Sequence, residues 1–216
     1  NDESILDGFP DKELTIITVY TDETKCILSK QLKRFGIPFI NGIEGMEDRI
    51  ANKTWEMPDK IYYIINALFK VKTKYALILD GYDVLINSFD NILYKFKNLY
   101  SVKMLFNATK NNYPNVLVDR IHDRDWRGDF RYFNAGCAIG YTESFLSFYQ
   151  ECYKIAFESQ LPNIWNSEQY ILRQVFAKYS ENLQESPIDF DWECNIFQTY
   201  MNTIQVNLTK DITAIV

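Results

Sequence analysis

Two aspartates at the end of an apolar run are the residues whose types and spacing best suit chemistry. The run at residues 75–86 reads YALILDGYDVLI, and its uncharged first part predicts a strand buried on both faces of a parallel sheet. Asp80 should then emerge at the carboxyl end of the strand, where open α/β sheets bind their ligands. Because Gly81 allows a tight turn, Asp83 can return toward Asp80. We therefore expect both carboxylates to converge on one point.

A divalent cation is the most direct way to stabilise this pair of carboxylates. Two carboxylates a few ångströms apart repel each other unless a cation or a shared proton relieves the repulsion. Mg²⁺ and Mn²⁺ prefer carboxylate oxygens, and they complete their coordination with water and substrate phosphates. In the competing interpretation, Asp80 caps the following turn and Asp83 is solvated. The two residues alone leave both interpretations open.

The composition indicates a globular protein with an acidic net charge. The 216 residues are 47% hydrophobic, 16% aromatic and 24% charged, which fits one folded domain with a substantial core. The net charge of −6 argues against a nucleic-acid partner, because binding to phosphate backbones requires a basic surface. No segment has enough consecutive apolar residues to cross a bilayer. We therefore expect a soluble chain without a membrane-spanning segment.

The cysteines and the first residues leave the cellular compartment open. Cys26, Cys137, Cys152 and Cys194 are widely spaced and form no C-x-x-C pair of the kind that binds zinc. Buried thiols are one interpretation, and two disulfides in a secreted protein are another. Residues 1–13 show no signal-peptide core, although a removed signal peptide would leave the same sequence. If one was removed, the lumen of the secretory pathway is the expected location.

Strand and helix patterns alternate along the rest of the chain, as a parallel sheet with crossover helices requires. Helices are predicted from apolar residues at helical spacing, and strands from short runs of β-branched and aromatic residues. The predicted strands cover residues 14–20, 37–40, 75–80, 102–108, 133–141, 187–191, 195–198 and 213–216, and the predicted helices cover 27–35, 58–72, 88–100, 142–159 and 170–179. We expect an α/β fold in which helices flank a central, mostly parallel sheet.

Cap residues and loops separate these elements. Residues 21–24 are polar and suit a helix N-cap, whereas Gly36 suits a C-cap. The segments 41–57 and 110–131 lack periodicity and are predicted to be loops. The second loop contains His122, the one histidine of the chain, which we interpret as a solvated side chain with no role in the site.

Taken together, these motifs resemble the glycosyltransferase domain of the procollagen lysyl hydroxylase/glucosyltransferase family and, more distantly, collagen galactosyltransferases. The resemblance runs from about Leu14 to the last residue, and its specificity lies in the order and spacing of motifs that are individually weak. The landmarks are Thr18-Val19, Lys60, Tyr63, Leu79-Asp80-Gly81-Tyr82-Asp83-Val84, Leu105-Phe106-Asn107-Ala108, Tyr113-Pro114, Arg131-Tyr132-Phe133-Asn134-Ala135-Gly136, Ile139-Gly140-Tyr141, Glu168-Gln169, Asp191 and Ile196-Phe197-Gln198.

The resemblance implies a GT-A-type nucleotide-sugar-binding fold with a UDP-sugar and Mn²⁺, or another divalent cation, in its site. By this resemblance, Asp80 and Asp83 bind the metal together with the diphosphate of the donor. The implied nucleotide contacts are Val19, Lys60, Tyr63, Asp80, Tyr82 and Tyr113. The implied catalytic residues are Asn134 and Glu168, which would approach the sugar, and Asp191, which would orient the donor or the acceptor hydroxyl.

The chain departs from the family pattern at several points. Only Glu168 is acidic in the stretch 166–169, where the family carries an aspartate run before the glutamine. The family's third metal ligand is a histidine just beyond the strand that matches residues 213–216, and the given sequence ends before that position. Tyr63 and Tyr113 stand where indole rings are usual in the family. These departures concern the third metal ligand and the residues that hold the donor.

The expected function is metal-dependent transfer of a hexose from UDP-glucose or UDP-galactose to a protein-linked acceptor. The acceptor that the resemblance implies is a glycan or hydroxylysine on a collagen-like protein, such as galactosyl-hydroxylysine. We expect residues 1–216 to form a single GT-A-like domain that is truncated at its C-terminus. A catalytically degenerate domain kept for binding or interaction is the alternative. A phosphoryl-transfer enzyme ranks last, because the chain has no glycine-rich GK[ST] phosphate loop.

Overall fold

In a computed structural model, the chain forms a central β-sheet with helices on both faces. The structure describes residues 12–52, 56, 58–89, 91–113, 129–158, 167–180, 186–199 and 214–215. Strands and helices are interspersed along the described chain, although some strands and some helices follow one another directly. A central sheet with helices from different parts of the chain on its faces confirms the predicted α/β class.

Most predicted elements are present within a few residues of their predicted bounds. The strands are β1 (Leu14–Val19), β2 (Phe39–Asn41), β3 (Tyr75–Asp80), β4 (Leu85–Ile86), β5 (Met104–Thr109), β6 (Tyr132–Tyr141), β7 (Ile188–Phe190), β8 (Phe197–Gln198) and β9 (Ala214–Ile215). The helices are α1 (Ile27–Arg34), α2 (Glu47–Asn52), α3 (Asp59–Lys70), α4 (Ile92–Leu99), α5 (Thr142–Tyr153), which a π-helical turn (Lys154–Glu158) extends, and α6 (Glu168–Tyr179).

The central sheet has six strands in the order β2-β1-β3-β6-β5-β7. β1 pairs in parallel with β2 and β3, and β5 pairs in parallel with β7. β6 is antiparallel to both of its neighbours, β3 and β5. The sheet is therefore mostly parallel, as predicted. The reversed strand β6 brings its first residues to the end of the sheet at which β1 and β3 finish.

Hydrophobic clusters cover both faces of this sheet. Because side chains alternate across a strand, Ile17 and Ile78 pack on one face with α3, α5 and α6, whereas Leu77 and Leu79 pack on the other with α1 and α4. All residues of β3 before Asp80 are buried. Burial on both faces explains the uncharged run, and it confirms the strand predicted there.

A smaller sheet of three strands has the order β4-β9-β8. β9 pairs antiparallel with β4 and parallel with β8. The strand predicted at residues 213–216 is thus present at Ala214–Ile215. Since β4 begins shortly after Asp83, this pairing connects the segment that carries both aspartates to the last described strand.

Two local predictions differ from the structure. The segment 41–57, predicted to be a loop, contains the short helix α2, whose first turn carries Glu47 and a second acid. Acidic residues in the first turn interact favourably with the helix dipole. This feature favours a helix, but it cannot be detected from the spacing of apolar residues. α1 begins at Ile27 as predicted, but its N-cap is Cys26 rather than a residue of the stretch 21–24, because the Cys26 Sγ accepts a hydrogen bond from the Ser29 N–H at 3.3 Å.

Several remaining expectations concern cysteines, membranes and the long loop. Each of the four cysteines is a buried thiol without a disulfide, so the interpretation as buried thiols fits the structure.

In the part of the chain that the structure describes, no helix is long and apolar enough to span a membrane. Most of the loop predicted at residues 110–131, including His122, lies outside the described residues.

Candidate active-site cleft

A cleft of about 460 Å³ opens where β1 and β3 end, beside the first residues of β6 and α6. This volume suits a small-molecule ligand. Because β6 is antiparallel to β3, its amino end meets the carboxyl ends of the parallel strands, and residues from distant segments face one space. The lining includes the sequence-predicted residues Val19, Lys60, Asp80, Tyr82, Asp83, Tyr113, Asn134 and Glu168.

The aspartates Asp80 and Asp83 both line this cleft. Gly81 lets the chain turn closely beneath β1, because a Cβ atom at Gly81 would lie only 3.1 Å from the Val19 carbonyl oxygen and 3.2 Å from Cys26 Sγ. Burial and the charge of Asp80 raise the pKa of Asp83. The two carboxylates therefore interact electrostatically within one cleft.

Lys60 lies between the carboxylates of Asp80 and Glu168. Its Nζ donates to Asp80 Oδ1 at 2.6 Å and to Glu168 Oε2 at 3.1 Å. Burial alone would lower the pKa of Lys60, but the two carboxylates outweigh that effect and raise it. The lysine is therefore a fixed positive charge at the wall of the cleft.

Glu168 is a buried acid at the first residue of α6. Burial raises the pKa of Glu168 to about 7, although the neighbouring Lys60 ammonium opposes that rise. Its Oε1 atom is buried and has no hydrogen-bond partner among the described residues. A carboxyl group that titrates near neutrality can exchange a proton with a ligand at physiological pH.

Two tyrosines present exposed rings at the cleft. The exposed fractions of Tyr82 and Tyr113 are 40% and 64%, and both residues line the cleft. The Tyr82 hydroxyl accepts hydrogen bonds from the backbone N–H groups of Thr21 and Asp22 at 2.9 and 3.0 Å, which fixes its ring beside the end of β1. Such rings offer flat apolar faces on which a nucleobase can stack.

Asn134 presents an amide group that its neighbours orient. Its Oδ1 accepts hydrogen bonds from the Gly136 N–H at 2.8 Å and from Asn107 Nδ2 at 3.2 Å. Asn107 Nδ2 also donates to Thr199 Oγ1 at 2.9 Å, next to the shift of register between β5 and β6. Because these two hydrogen bonds orient the Asn134 side chain through its oxygen, its amide NH₂ group can donate a hydrogen bond to a ligand.

Two residues that the resemblance implies in the site lie away from the cleft. Tyr63 is 2% exposed and packs in the hydrophobic core, because it lies on the buried face of α3. Asp191 is fully buried, and its carboxylate accepts hydrogen bonds from the Tyr100 hydroxyl and from the backbone N–H groups of residues 195–197. Burial raises the pKa of Asp191, against the effect of these donors. Its observed contacts organise the turn before β8.

Other cleft residues were given no role from the sequence. Thr21, Ser167 and Gln169 line the cleft. Thr21 comes just after β1, so its place beyond the carboxyl end of a strand was a usable signal. Gln169 stands beside Glu168 in the motif that carries the resemblance, which was a second signal.

The side chains of Asp80 and Asp83 fit the preferences of a hard divalent cation. Carboxylate oxygens are the ligands that Mg²⁺ and Mn²⁺ prefer, and these ions commonly keep several positions for water and phosphate oxygens. The described residues contain no group of three or more His, Cys, Asp or Glu side chains that could hold a metal ion. Within this part of the chain, the two aspartates alone would hold the cation.

The chain is similar to proteins of known family and fold. The family model described as the PLOD GT domain matches residues 10–213. The crystal structure of a glycosyltransferase involved in the glycosylation of the major capsid of PBCV-1 resembles this structure with a TM-score of 0.53 and 17% sequence identity, over 94% of this chain and 92% of that chain. No curated protein matches the chain significantly. The structural likeness shows a glycosyltransferase fold, and because the family match spans nearly the whole sequence, the chain belongs to the family of PLOD glycosyltransferase domains.

Proposed function

We propose that this domain transfers a hexose from UDP-glucose or UDP-galactose, with a divalent cation such as Mn²⁺ held by Asp80 and Asp83. The observation that carries the proposal is the convergence of two interacting carboxylates, a buried lysine and two exposed aromatic rings in one cleft. Membership of a glycosyltransferase family implies a nucleotide-sugar donor. The cleft residues support the narrower choice of donor and cation.

The charge balance of the cleft supports metal dependence. When ionised, Asp80, Asp83 and Glu168 carry three negative charges against the single positive charge of Lys60. A diphosphate would be repelled by this arrangement unless a cation bound with it. A bound Mn²⁺ would neutralise part of the charge on the diphosphate as a Lewis acid.

The two tyrosines and the backbone of Val19 support binding of the nucleoside. Tyr82 and Tyr113 both line the cleft, and both residues are exposed. A uracil base could stack on either ring, since stacking requires only a flat face and no particular pattern of donors. Val19 lines the cleft beside Asp80, where its main chain can contact the donor.

The transfer step breaks the bond between the anomeric carbon and the diphosphate oxygen and forms a bond from that carbon to the acceptor oxygen. Negative charge grows on the departing UDP, and the fixed ammonium group of Lys60 would stabilise it. The acceptor hydroxyl loses its proton. Glu168 is buried beside the cleft with a pKa of about 7, which suits a group that accepts or orients that proton. Asn134 can donate a hydrogen bond to a sugar oxygen.

The proposed acceptor is a glycan or hydroxylysine on a collagen-like protein. The resemblance to the procollagen lysyl hydroxylase/glucosyltransferase family supports this acceptor, since a fold alone does not determine a substrate. A collagen-like peptide that carries galactosyl-hydroxylysine should accept the sugar. The same peptide with lysine in place of the modified residue is the matched negative control.

A second candidate is a degenerate glycosyltransferase domain that binds without transfer. Asp80 is already paired with Lys60, and no third metal-ligating side chain joins the aspartates among the described residues. Both observations favour this candidate. The two candidates share one cleft and differ only in turnover.

Release of UDP from UDP-glucose and UDP-galactose distinguishes the two candidates. If the domain is an enzyme, UDP release depends on Mn²⁺, and Lys60→Met lowers it by roughly 100-fold or more, as expected for the loss of a charge that stabilises a transition state. The control is Lys103→Met, since Lys103 lies before β5 at the opposite end of the sheet. Mn²⁺-dependent UDP binding without release would instead favour the degenerate domain.

A further inference from the structure

Arg173 is a buried cation behind the cleft that the proposed transfer step does not use. It lies on α6, and the residue is 1% exposed. Burial lowers the pKa of Arg173 to about 10. Burying a guanidinium is unfavourable unless hydrogen bonds replace its hydration. The hydrogen bonds of the Arg173 guanidinium therefore indicate which part of the structure it holds in place.

The guanidinium of Arg173 holds two consecutive residues at the rim of the cleft. Its Nη1 donates to the Tyr113 carbonyl oxygen at 2.7 Å, and its Nη2 donates to Asn112 Oδ1 at 2.6 Å. A guanidinium is planar and presents its donors in a fixed fork. One rigid group therefore binds the backbone of Tyr113 and the side chain of Asn112, and it ties both consecutive residues to α6.

Gln169 reinforces the same contact from one turn earlier in α6. Its Nε2 donates to the same Tyr113 carbonyl oxygen at 2.5 Å, and its Oε1 accepts a hydrogen bond from the Ala135 N–H of β6 at 3.2 Å. Residues at positions i and i+4 lie on one face of a helix, so Gln169 and Arg173 converge on one atom. α6 thus connects Tyr113 to β6 and to Glu168 at its own first residue.

The anchored backbone contrasts with the exposed ring that it carries. The carbonyl of Tyr113 accepts two hydrogen bonds, whereas its side chain is mostly exposed and lines the cleft. A ligand that stacks on a ring must offset the entropy lost when the ring and its backbone become ordered. Anchoring the backbone before the ligand arrives reduces that loss.

We propose that Arg173 is a positioning residue that holds the Tyr113 ring on the rim of the cleft for the base of the nucleotide donor. This inference rests on the proposed function, because it takes the ligand to be a UDP-sugar. Arg173 is assigned no contact with the ligand. Its effect on binding should pass entirely through Tyr113.

Titration of UDP in the presence of Mn²⁺ tests this dependence. Tyr113→Ala should weaken UDP binding on the order of tenfold, the magnitude typical of stacking between a base and an aromatic ring. Arg173→Met, which keeps much of the length but removes the donors, should weaken it to a similar extent. The double variant should bind UDP no more weakly than whichever single variant has the lower UDP affinity. The effects of two substitutions on binding do not add when one residue acts through the other. Full additivity, or unchanged UDP affinity in Arg173→Met, would overturn the proposal.

Asn112→Ala is a milder second variant in case Arg173→Met does not fold. It removes the acceptor for Nη2 and leaves the buried helix intact. A few-fold weakening of UDP binding that disappears in the Tyr113→Ala background is expected. In the transfer assay, both variants should raise KM and leave kcat nearly unchanged, because neither touches the reacting groups. A lower kcat at unchanged KM would contradict a positioning role.

Amide hydrogen exchange gives a readout that needs no ligand. Arg173→Met should speed exchange at residues 110–113 at least several-fold, with little change in β3. Unchanged exchange at those residues would show that Arg173 does not hold the segment, and it would overturn the inference by itself. If wild-type protein binds no UDP while the exchange result is as expected, the proposed function fails and the anchoring stands, so the two failures are distinguishable.

Discussion

A lysine shared by two carboxylates is the chemical centre of the cleft. Lys60 comes from α3, Asp80 from the end of β3 and Glu168 from the start of α6. Buried ion pairs often add little net stability, because each charge loses its hydration. A group of charges with perturbed pKa values in a cleft is instead typical of a functional site.

The first prediction concerns the pH dependence of stability. The pKa of Glu168 is raised from its ordinary value of 4.5 to about 7, so its contribution to stability is complete below about pH 4.5 and is lost as the pH rises through 7. The unfolding free energy of wild-type protein should therefore fall between pH 4.5 and pH 7, and in Glu168→Gln this fall should be smaller by up to about 3 kcal/mol. Each tenfold change in proton affinity corresponds to about 1.4 kcal/mol.

Urea unfolding of wild-type protein and Glu168→Gln at a series of pH values measures this difference. The comparison isolates one group, because the remaining carboxylates titrate in both proteins. Identical curves for the two proteins would show that burial does not raise the Glu168 pKa.

Residues that follow a local pattern could be predicted, and residues that act across the fold could not. Asp80 and Asp83 were evident because a charge that ends a buried strand has a defined position. Lys60 and Glu168 follow no comparable local pattern, and only the family resemblance implied their roles. Arg173 gave no signal, since its partner Tyr113 is 60 positions away in the sequence and contributes a backbone carbonyl that any residue type has.

At the scale of elements, periodicity and cap chemistry predicted most of the helices and strands. Gly36 ends α1 as expected, with φ at 66° and its N–H bonded to the Lys33 carbonyl oxygen at 3.1 Å. The direction of β6 did not follow from its residues, because small buried side chains fit parallel and antiparallel pairing equally well. That direction matters for function, since it places Asn134 in the cleft.

The second prediction concerns the turn between β7 and β8. Asp191→Asn replaces one acceptor oxygen by a donor, while the carboxylate now accepts from Tyr100 and from three backbone N–H groups. We expect a loss of about 2–4 kcal/mol of unfolding free energy, because hydrogen bonds to charged groups contribute about 1.5–3 kcal/mol each. UDP affinity should stay nearly unchanged. Urea unfolding and UDP titration of the same samples measure both quantities.

Asp189→Asn is the matched control for this turn. Asp189 lies on β7, and its Oδ1 accepts a hydrogen bond from the adjacent Phe190 N–H, an interaction that an asparagine oxygen can keep. It should lose less stability than Asp191→Asn. If Asp191→Asn instead keeps its stability and loses transfer activity, Asp191 has the catalytic role that the resemblance implies.

At the scale of the whole molecule, one sheet supports both the core and the cleft. Two hydrophobic clusters cover its faces, and the candidate site lies at one end of its strands. The alternation of elements predicted this architecture, because parallel strands need crossover helices. The strand order was not predictable, since it depends on long-range pairing that leaves no mark within each strand.

The third prediction is that the described sheet and its helices unfold as one unit, in keeping with a single domain. Phe106 and Leu105 are neighbours on β5 that pack into opposite clusters, and the Phe106 ring lies 4.9 Å from that of Phe133. Phe106→Ala and Leu105→Ala should each lower the unfolding free energy by about 2–5 kcal/mol, as cavity-forming substitutions do. Guanidinium unfolding followed by circular dichroism and fluorescence should show one transition for every variant. Two separated transitions would contradict a single cooperative unit.

The central claim is that Asp80 and Asp83 bind UDP through a divalent cation, and thermal unfolding tests it most directly. With UDP and Mn²⁺ together at about 100 times the dissociation constant, wild-type protein should gain about 2.7 kcal/mol, which corresponds to a rise in Tm of roughly 5–10 °C. Neither UDP nor Mn²⁺ alone should give this rise. Asp80→Asn and Asp83→Asn should abolish it, whereas Glu143→Gln, at the opposite end of the sheet, should keep it. A rise that needs no Mn²⁺, or that survives in both aspartate variants, would contradict the claim.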